Sequence, residues 1–500
     1  VNDVPGSSPS AEKAKSVLAE RLRRWWTAQT GGVPDTSPGA AAVYSKNQRI
    51  LLLVGFTVLL ILRLPSAWWH GRLLGEEGTI FMAFAWHRPA GEALWRSFAG
   101  YLNLGANSTM LATVALIRAG LLSLGQAPRF TMTIATLFQL IPAILILTAR
   151  GRWLTDRGSV FGCLLILAIA PLTEEVFANV LHIQFHLALA SALILALDIP
   201  GSRCSRIAYC VPLVLAPLCG PGAIVILPLF ALRTAIEWDR ARLVQTVALA
   251  FGSAVQMLLF FTPNPLRGHL LDPATLSNVL FLRLVILPYT SLIAAASLGE
   301  GIYHFYLIGG PGWWLITGLS LSCFGLLIYA VSRGGLDTAF WLVMSGLMLA
   351  AVSFGAGMLP IHPSAWFAPA AAERYNFLPL VLIGMGLIAL SMRNDGRHKI
   401  IYLCLVVLTL MSGALTFSHP VEIISKGVDW QSEVIVWQAD HDHLLEAWPN
   451  EWLIDLSDRD RPCSPPSLDN IPATEPTYCE GSWLALVVRN SKLVAWRKRN

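Results

Sequence analysis

Long apolar runs recur along this 500-residue chain from residue 49 to residue 417, and the short turns between them carry Arg and Lys. A helix needs about 20 apolar residues to cross a hydrocarbon layer about 30 Å thick. Spans are predicted at 51–67, 131–149, 159–172, 180–197, 244–262, 312–331, 339–358, 376–392 and 400–417. Within 207–234 the run is broken at Leu218-Cys219-Gly220-Pro221-Gly222, which predicts two short helices in a hairpin. The pattern therefore predicts an all-α polytopic membrane protein with about eleven transmembrane helices.

Residues 68–130 do not alternate simply. A full span near 93–124 would move Arg150, Arg152 and Arg157 to the outer side. Interfacial helices in this first outer loop, with 131–149 as the second span, keep those arginines inside, as the positive-inside rule requires. Residues 276–298 read either as a span or as a helix in the outer interface. Arg233, Arg240, Arg242, Arg333, Arg393, Arg397 and Lys399 then fall inside with Lys46 and Arg49. Three regions follow. Residues 1–48 are a polar, largely disordered cytoplasmic tail without the apolar core of a signal peptide. Residues 49–417 are the transmembrane domain. Residues 418–500 are a small extramembrane α/β domain on the outer, periplasmic side of a cell inner (plasma) membrane.

Composition agrees with a membrane solvent. The chain is 55% hydrophobic and 13% charged, with a mean hydropathy of +0.57, whereas soluble domains carry about 25% charged residues. The net charge of +5 reports topology rather than nucleic-acid affinity, because the cations fall between apolar runs. Of the eight cysteines, only Cys463 and Cys479 lie in the polar C-terminal region. A disulfide between them is expected in an oxidising compartment, where it would brace a domain with little core. No zinc-type spacing is present.

Two acidic doublets stand out. Carboxylates are costly beside hydrocarbon, so acids there usually serve a function. Glu76-Glu77 lies in the first outer loop and is a candidate general base or cation ligand, as against a helix cap or solvated loop acid. Glu174-Glu175 follows Pro171 at the outer end of a span. Asn179, His182, Gln184 and His186 follow it. His182 and His186 share a helix face at i,i+4 spacing, but no HExxH motif is present and an interfacial pair is the commoner meaning. Glu373-Arg374-Tyr375 closes the loop before the 376–392 span. An Arg there is suited to paired hydrogen bonds with a phosphate, although Arg and Tyr also serve as interfacial anchors.

Three segments carry a family resemblance. WWHGRLLGEEGTIFMAFA with FAGYLNL resembles the acidic first outer loop of the GT-C superfamily of integral-membrane glycosyltransferases. PLTEEVFANVLHIQFHLAL resembles the start of their second acidic loop, and Glu373-Arg374-Tyr375 resembles their phosphate-contacting Arg. The superfamily includes protein O-mannosyltransferases, oligosaccharyltransferase subunits and the lipid A aminoarabinose transferase. This resemblance implies a polyprenyl-phosphate sugar donor, a glycan or lipid acceptor in the cell envelope, and inversion at the sugar carbon. Glu77 or Glu76, standing where many members have Asp, would be the base, joined by Glu174 and Glu175. Arg374 and Tyr375, with Asn179, His182, Gln184 and Tyr101, would bind substrate, and a divalent cation is a possible cofactor. No WWD-type motif is present, which disfavours asparagine glycosylation. A transporter or flippase of lipid-linked glycans would place ionisable groups inside spans and show repeats. A glycan polymerase would lean on loop arginines rather than acidic doublets.

Overall fold

The computed structural model describes residues 43–149, 151–262, 271–357, 363–417, 425–450 and 452–457. The Cys463–Cys479 pair and most of the N-terminal tail lie outside these residues. The described chain is mostly helical, and its principal helices are α1 (Lys46–Arg63), α2 (Leu104–Arg118), α3 (Ala127–Thr148), α4 (Arg157–Ile169), α5 (Ile183–Ala196), α6 (Arg203–Cys219), α7 (Leu227–Glu237) and α8 (Arg240–Val255). They continue with α9 (Pro273–Phe281), α10 (Leu292–Ile308), α11 (Pro311–Ser332), α12 (Thr338–Val352), α13 (Arg374–Arg393), α14 (Gly396–Phe417) and α15 (Trp430–Ala439).

Among the described residues, six helices are long and apolar enough to cross a membrane: those spanning Leu124–Thr148, Arg240–Phe260, Pro311–Ser332, Thr338–Gly357, Arg374–Arg393 and Gly396–Phe417. A seventh span arises if α6 and the helix from Pro221 to Glu237, bent by 119° at Gly220, are counted together. The predicted hairpin is thus a sharply bent pair. Several predicted spans are shorter than a bilayer: α4 has 13 residues and α5 has 14, which is about 20 Å of helix. Large apolar side chains such as Leu51, Phe251, Leu315 and Leu415 stay exposed along α1, α8, α11 and α14. Such a belt suits an apolar solvent. By contrast, α13 is buried on nearly all sides.

The helices run between two chemically different ends. At one end lie the cation-rich turns. There Tyr44 donates to the Arg157 carbonyl at 3.0 Å, Arg242 to the Leu197 carbonyl at 2.6 Å, and Arg393 to Asp337 at 2.7 Å. At the other end the starts of α5 and α13 meet the ends of α1 and α4: Arg63 donates to the Ala168 and Ala170 carbonyls, and Asn376 to the Leu172 carbonyl. All three acid-bearing loops collect at this second end.

The first loop carries short helices, a two-residue hairpin pairing Ser97–Phe98 with Tyr101–Leu102, and α2. The described part of the C-terminal region, α15 and a hairpin pairing Leu445–Glu446 with Leu453–Ile454, packs directly on this loop. Trp430 Nε1 donates to the Leu124 carbonyl at 2.9 Å, Trp448 N to the Leu73 carbonyl at 3.0 Å, and Gly75 N to the Trp448 carbonyl at 2.5 Å. These contacts join it to the first loop.

Helices approach closely where they carry no side chain. A Cβ added to Gly413 of α14 would lie 1.7 Å from the Ile169 carbonyl oxygen, which ends α4. Gly413→Ala is therefore expected to lower stability by about 1–3 kcal/mol, the usual cost of overpacking. Thermal unfolding of the detergent-solubilised protein measures this, and an unchanged transition would mean that α14 does not seat on α4.

Candidate active site

Three loops far apart in sequence enclose one cavity of about 860 Å³ at the end opposite the cation-rich turns. Glu76, Tyr101, Glu175, His182, Gln184, Arg374 and Tyr375 line it, together with Glu373. Pro449 and Trp452 of the C-terminal hairpin supply part of the wall. Most of the remaining lining is apolar, including Phe81, Phe98, Phe185 and Phe261. A largely apolar cavity with a few convergent polar groups is the ordinary form of a small-molecule site.

Buried arginines hold the loops in shape. Arg63 donates to the Ala168 and Ala170 carbonyls, to Thr173 Oγ1 at 3.0 Å and to Glu174 Oε1 at 2.7 Å. Arg72 donates to the Phe177 carbonyl at 2.8 Å. Arg283 gathers carbonyls of the loop before α13, with Ala371 at 2.7 Å, Ala368 at 2.8 Å and Pro369 at 3.0 Å. The same loops contain non-glycine residues with left-handed backbone: Ala99, Leu172, Ala178 and Ala372, with φ between 47° and 55°. Such residues cost about 1–3 kcal/mol each and tend to cluster at functional sites.

The first doublet divides its work. Glu76 faces the cavity, whereas Glu77 is fully buried behind it. Glu77 Oε2 accepts from Leu74 N at 2.8 Å and Oε1 from Val180 N at 2.5 Å, so it ties the first acid loop to the second. Burial pushes its carboxyl up to about 7, against the opposing pull of those two N–H groups and of Arg72. The expectation that favoured Glu77 as the cavity acid passes to Glu76. The local cause is the turn at Gly75, whose positive φ of 46° precedes the π-helical turn Glu77–Met82.

The second doublet divides likewise. Glu174 turns inward to Arg63 and is fully buried, outside the cavity wall. Glu175 faces the cavity and pairs with the Arg374 guanidinium. Burial alone would raise the Glu175 carboxyl, but the Arg374 guanidinium holds it below its ordinary value. Asn179 also lies behind the wall. Its Nδ2 donates to the Glu175 carbonyl at 2.6 Å, and its Oδ1 accepts from His182 N at 3.0 Å, which folds the turn. His182 Nδ1 lies 2.7 Å from the Glu175 carbonyl oxygen. A carbonyl can only accept, so Nδ1 carries the proton. Burial lowers this imidazole to about 4, leaving a neutral ring with Nε2 unprotonated. Gln184 Nε2 donates to Tyr101 Oη at 3.3 Å on the same wall, and Tyr375 Oη donates to the Gly357 carbonyl at 2.9 Å.

Among the described residues, no group of three His, Cys, Asp or Glu side chains is placed to hold a metal ion. The donor set of the cavity is counter-ion pairing by guanidinium. No protein-family model, curated protein or solved structure matches the chain.

Sequence reasoning missed Glu373 as a wall acid, Arg63, Arg72 and Arg283 as clamps, and Trp452. One signal was present for Arg283, a lone charge in the middle of the apolar run 276–298, where an ionisable residue calls for a partner. Glu77→Gln removes one of two carboxylate acceptors and sets an amide N–H₂ against a backbone N–H. It is expected to cost about 1–3 kcal/mol, the penalty of an unsatisfied buried donor. Melting measured alongside activity decides this: full stability with lost activity would return Glu77 to the chemistry.

Proposed function

We propose that the protein is a membrane glycosyltransferase of the GT-C kind, moving a sugar from a polyprenyl-phosphate donor to a glycan or lipid acceptor of the cell envelope. The observation that carries this reading is the convergence of Glu76, Glu175 and Arg374 on one cavity. The acceptor hydroxyl needs a base within hydrogen-bond reach, and Glu76 is the wall acid for that role. The leaving phosphate needs a fixed cation, and Arg374 supplies one. Its pairing with Glu175 engages Nη1, and a guanidinium has five N–H donors in all. The acceptor attacks from the face opposite the phosphate, so the sugar carbon inverts. The apolar part of the lining suits the first isoprene units of a lipid donor.

On this reading the cation-rich end is cytoplasmic and the cavity opens on the outer face of the inner membrane. The N-terminus is then cytoplasmic and the C-terminal region periplasmic. The short helices α4 and α5, α1, and the bent pair taken as two passes bring the total to about eleven passes through a locally thin layer.

Mass spectrometry of envelope glycans from cells with and without the gene tests the reading, and unchanged glycans and lipids would remove it. With transfer established in proteoliposomes, Glu76→Gln is expected to cut turnover by about 10²–10⁴-fold at near-normal expression. Full activity in that variant would remove Glu76 as the base. Arg374→Lys keeps the charge but loses the planar fork, so donor KM should rise. Donor KM unchanged in both Arg374→Lys and Arg374→Ala would remove the phosphate contact.

A further inference from the structure

Glu373 is the carboxyl in the cavity wall that the proposed mechanism leaves unused. It stands immediately before Arg374 and is 2% exposed. Its Oε1 accepts from Glu175 N at 2.7 Å, while its Oε2 is enclosed and makes no hydrogen bond. Glu174 Oε2 is likewise enclosed without a partner. Two bare carboxylate oxygens in neighbouring buried side chains are unstable as a pair of anions. Like charges in a dry site cannot both persist, and one proton between them relieves both.

The charged groups around Glu373 come from each element packed against it. Glu174 and Glu175 come from the turn before α5, Arg63 from the end of α1, Arg283 from the helix that continues α9, and Arg374 follows it in sequence. Arg63 is engaged by Glu174 and by carbonyls, Arg374 by Glu175, and Arg283 by carbonyls. None donates a hydrogen bond to Glu373 Oε2.

We propose that Glu373 enters the reaction as a neutral carboxylic acid and gives its proton to the phosphate leaving the sugar. This rests on the glycosyltransferase reading. The chemistry balances. The bond between the sugar carbon and the phosphate oxygen breaks, and a bond from that carbon to the acceptor oxygen forms. The acceptor proton goes to Glu76. The leaving group would otherwise change from a phosphodiester monoanion to a monoester dianion inside a low-dielectric cavity. The proton from Glu373 keeps it a monoanion, and Glu373 becomes a carboxylate. Nothing is oxidised or reduced. Water then takes the proton from Glu76 and returns one to Glu373.

Burial first, and Glu174 and Glu175 next, hold the Glu373 carboxyl well above its ordinary range. The protonated form falls away as pH rises, so transfer should show an alkaline limb that belongs to this group.

Infrared spectroscopy of the full chain in detergent tests protonation without any assay of activity. The wild-type minus Glu373→Gln difference spectrum at neutral pH should contain a protonated-carboxyl C=O band that disappears on alkalinisation. Glu373→Gln keeps an oxygen for Glu175 N–H, which favours folding. Glu174→Gln removes the negative neighbour and should make the band disappear at lower pH. A difference spectrum with only carboxylate bands overturns the proposal. In proteoliposomes given polyprenyl-phosphate hexoses, Glu373→Gln should lower kcat by about 10²-fold or more and abolish the alkaline limb. A band that is present with an unchanged limb in the variant overturns the catalytic role. A band that is present in a wild type inactive on every donor overturns the glycosyltransferase reading and the acid role with it, while leaving Glu373 a neutral carboxyl.

Discussion

Everything at the cavity end depends on arginine side chains that hold backbone carbonyls where no water reaches. A loop beside hydrocarbon must satisfy its polar groups within the protein, since each one left bare costs several kcal/mol. Arg63, Arg72 and Arg283 do this for the loops ending α4, preceding α5 and preceding α13. A guanidinium suits the task because it offers five donors in a rigid plane and stays charged when buried. The carbonyl clusters it collects are those of loops that contain left-handed residues, so the strained backbone and the cation that holds it occur together.

Acids outnumber arginines around the cavity. Glu76, Glu77, Glu174, Glu175 and Glu373 stand with Arg63, Arg72, Arg283 and Arg374. His182 adds no charge, because burial keeps it neutral. The matching is uneven in space. Glu174 and Glu175 each have a guanidinium at bonding distance, Glu77 has backbone N–H groups, and Glu373 Oε2 has none. The electrostatic slack of this end is therefore gathered at Glu373 Oε2 and its neighbour Glu174 Oε2.

The helical class and the alternation of the chain were legible in the sequence because apolar runs and turn cations are local signals. The convergence of the acid loops followed from parity alone, since the three loops fall at the same end. Which member of each doublet faces the cavity was not legible. That choice is made by the turn at Gly75 and by the pull of Arg63 on Glu174, two features separated by about a hundred residues. Span number was only partly legible, because α4 and α5 are apolar enough to resemble spans yet have just 13 and 14 residues. The C-terminal region read as a separate small domain because its polarity changes after residue 417. Its hairpin contacts residues 73–75, a pairing that no local pattern announces.

That hairpin orders events in time. The wall residues Pro449 and Trp452 follow α14, the last long apolar helix among the described residues, and they close against a loop made some 370 residues earlier. A ribosome delivers the chain from the N-terminus at about 5–20 residues per second, so the bundle can be inserted and packed well before its final wall arrives. During that interval the vestibule stands open above a complete set of acids and arginines. Formation of the cavity thus ends with a closing step, in which a segment made after those helices completes the wall of a basin that is already assembled.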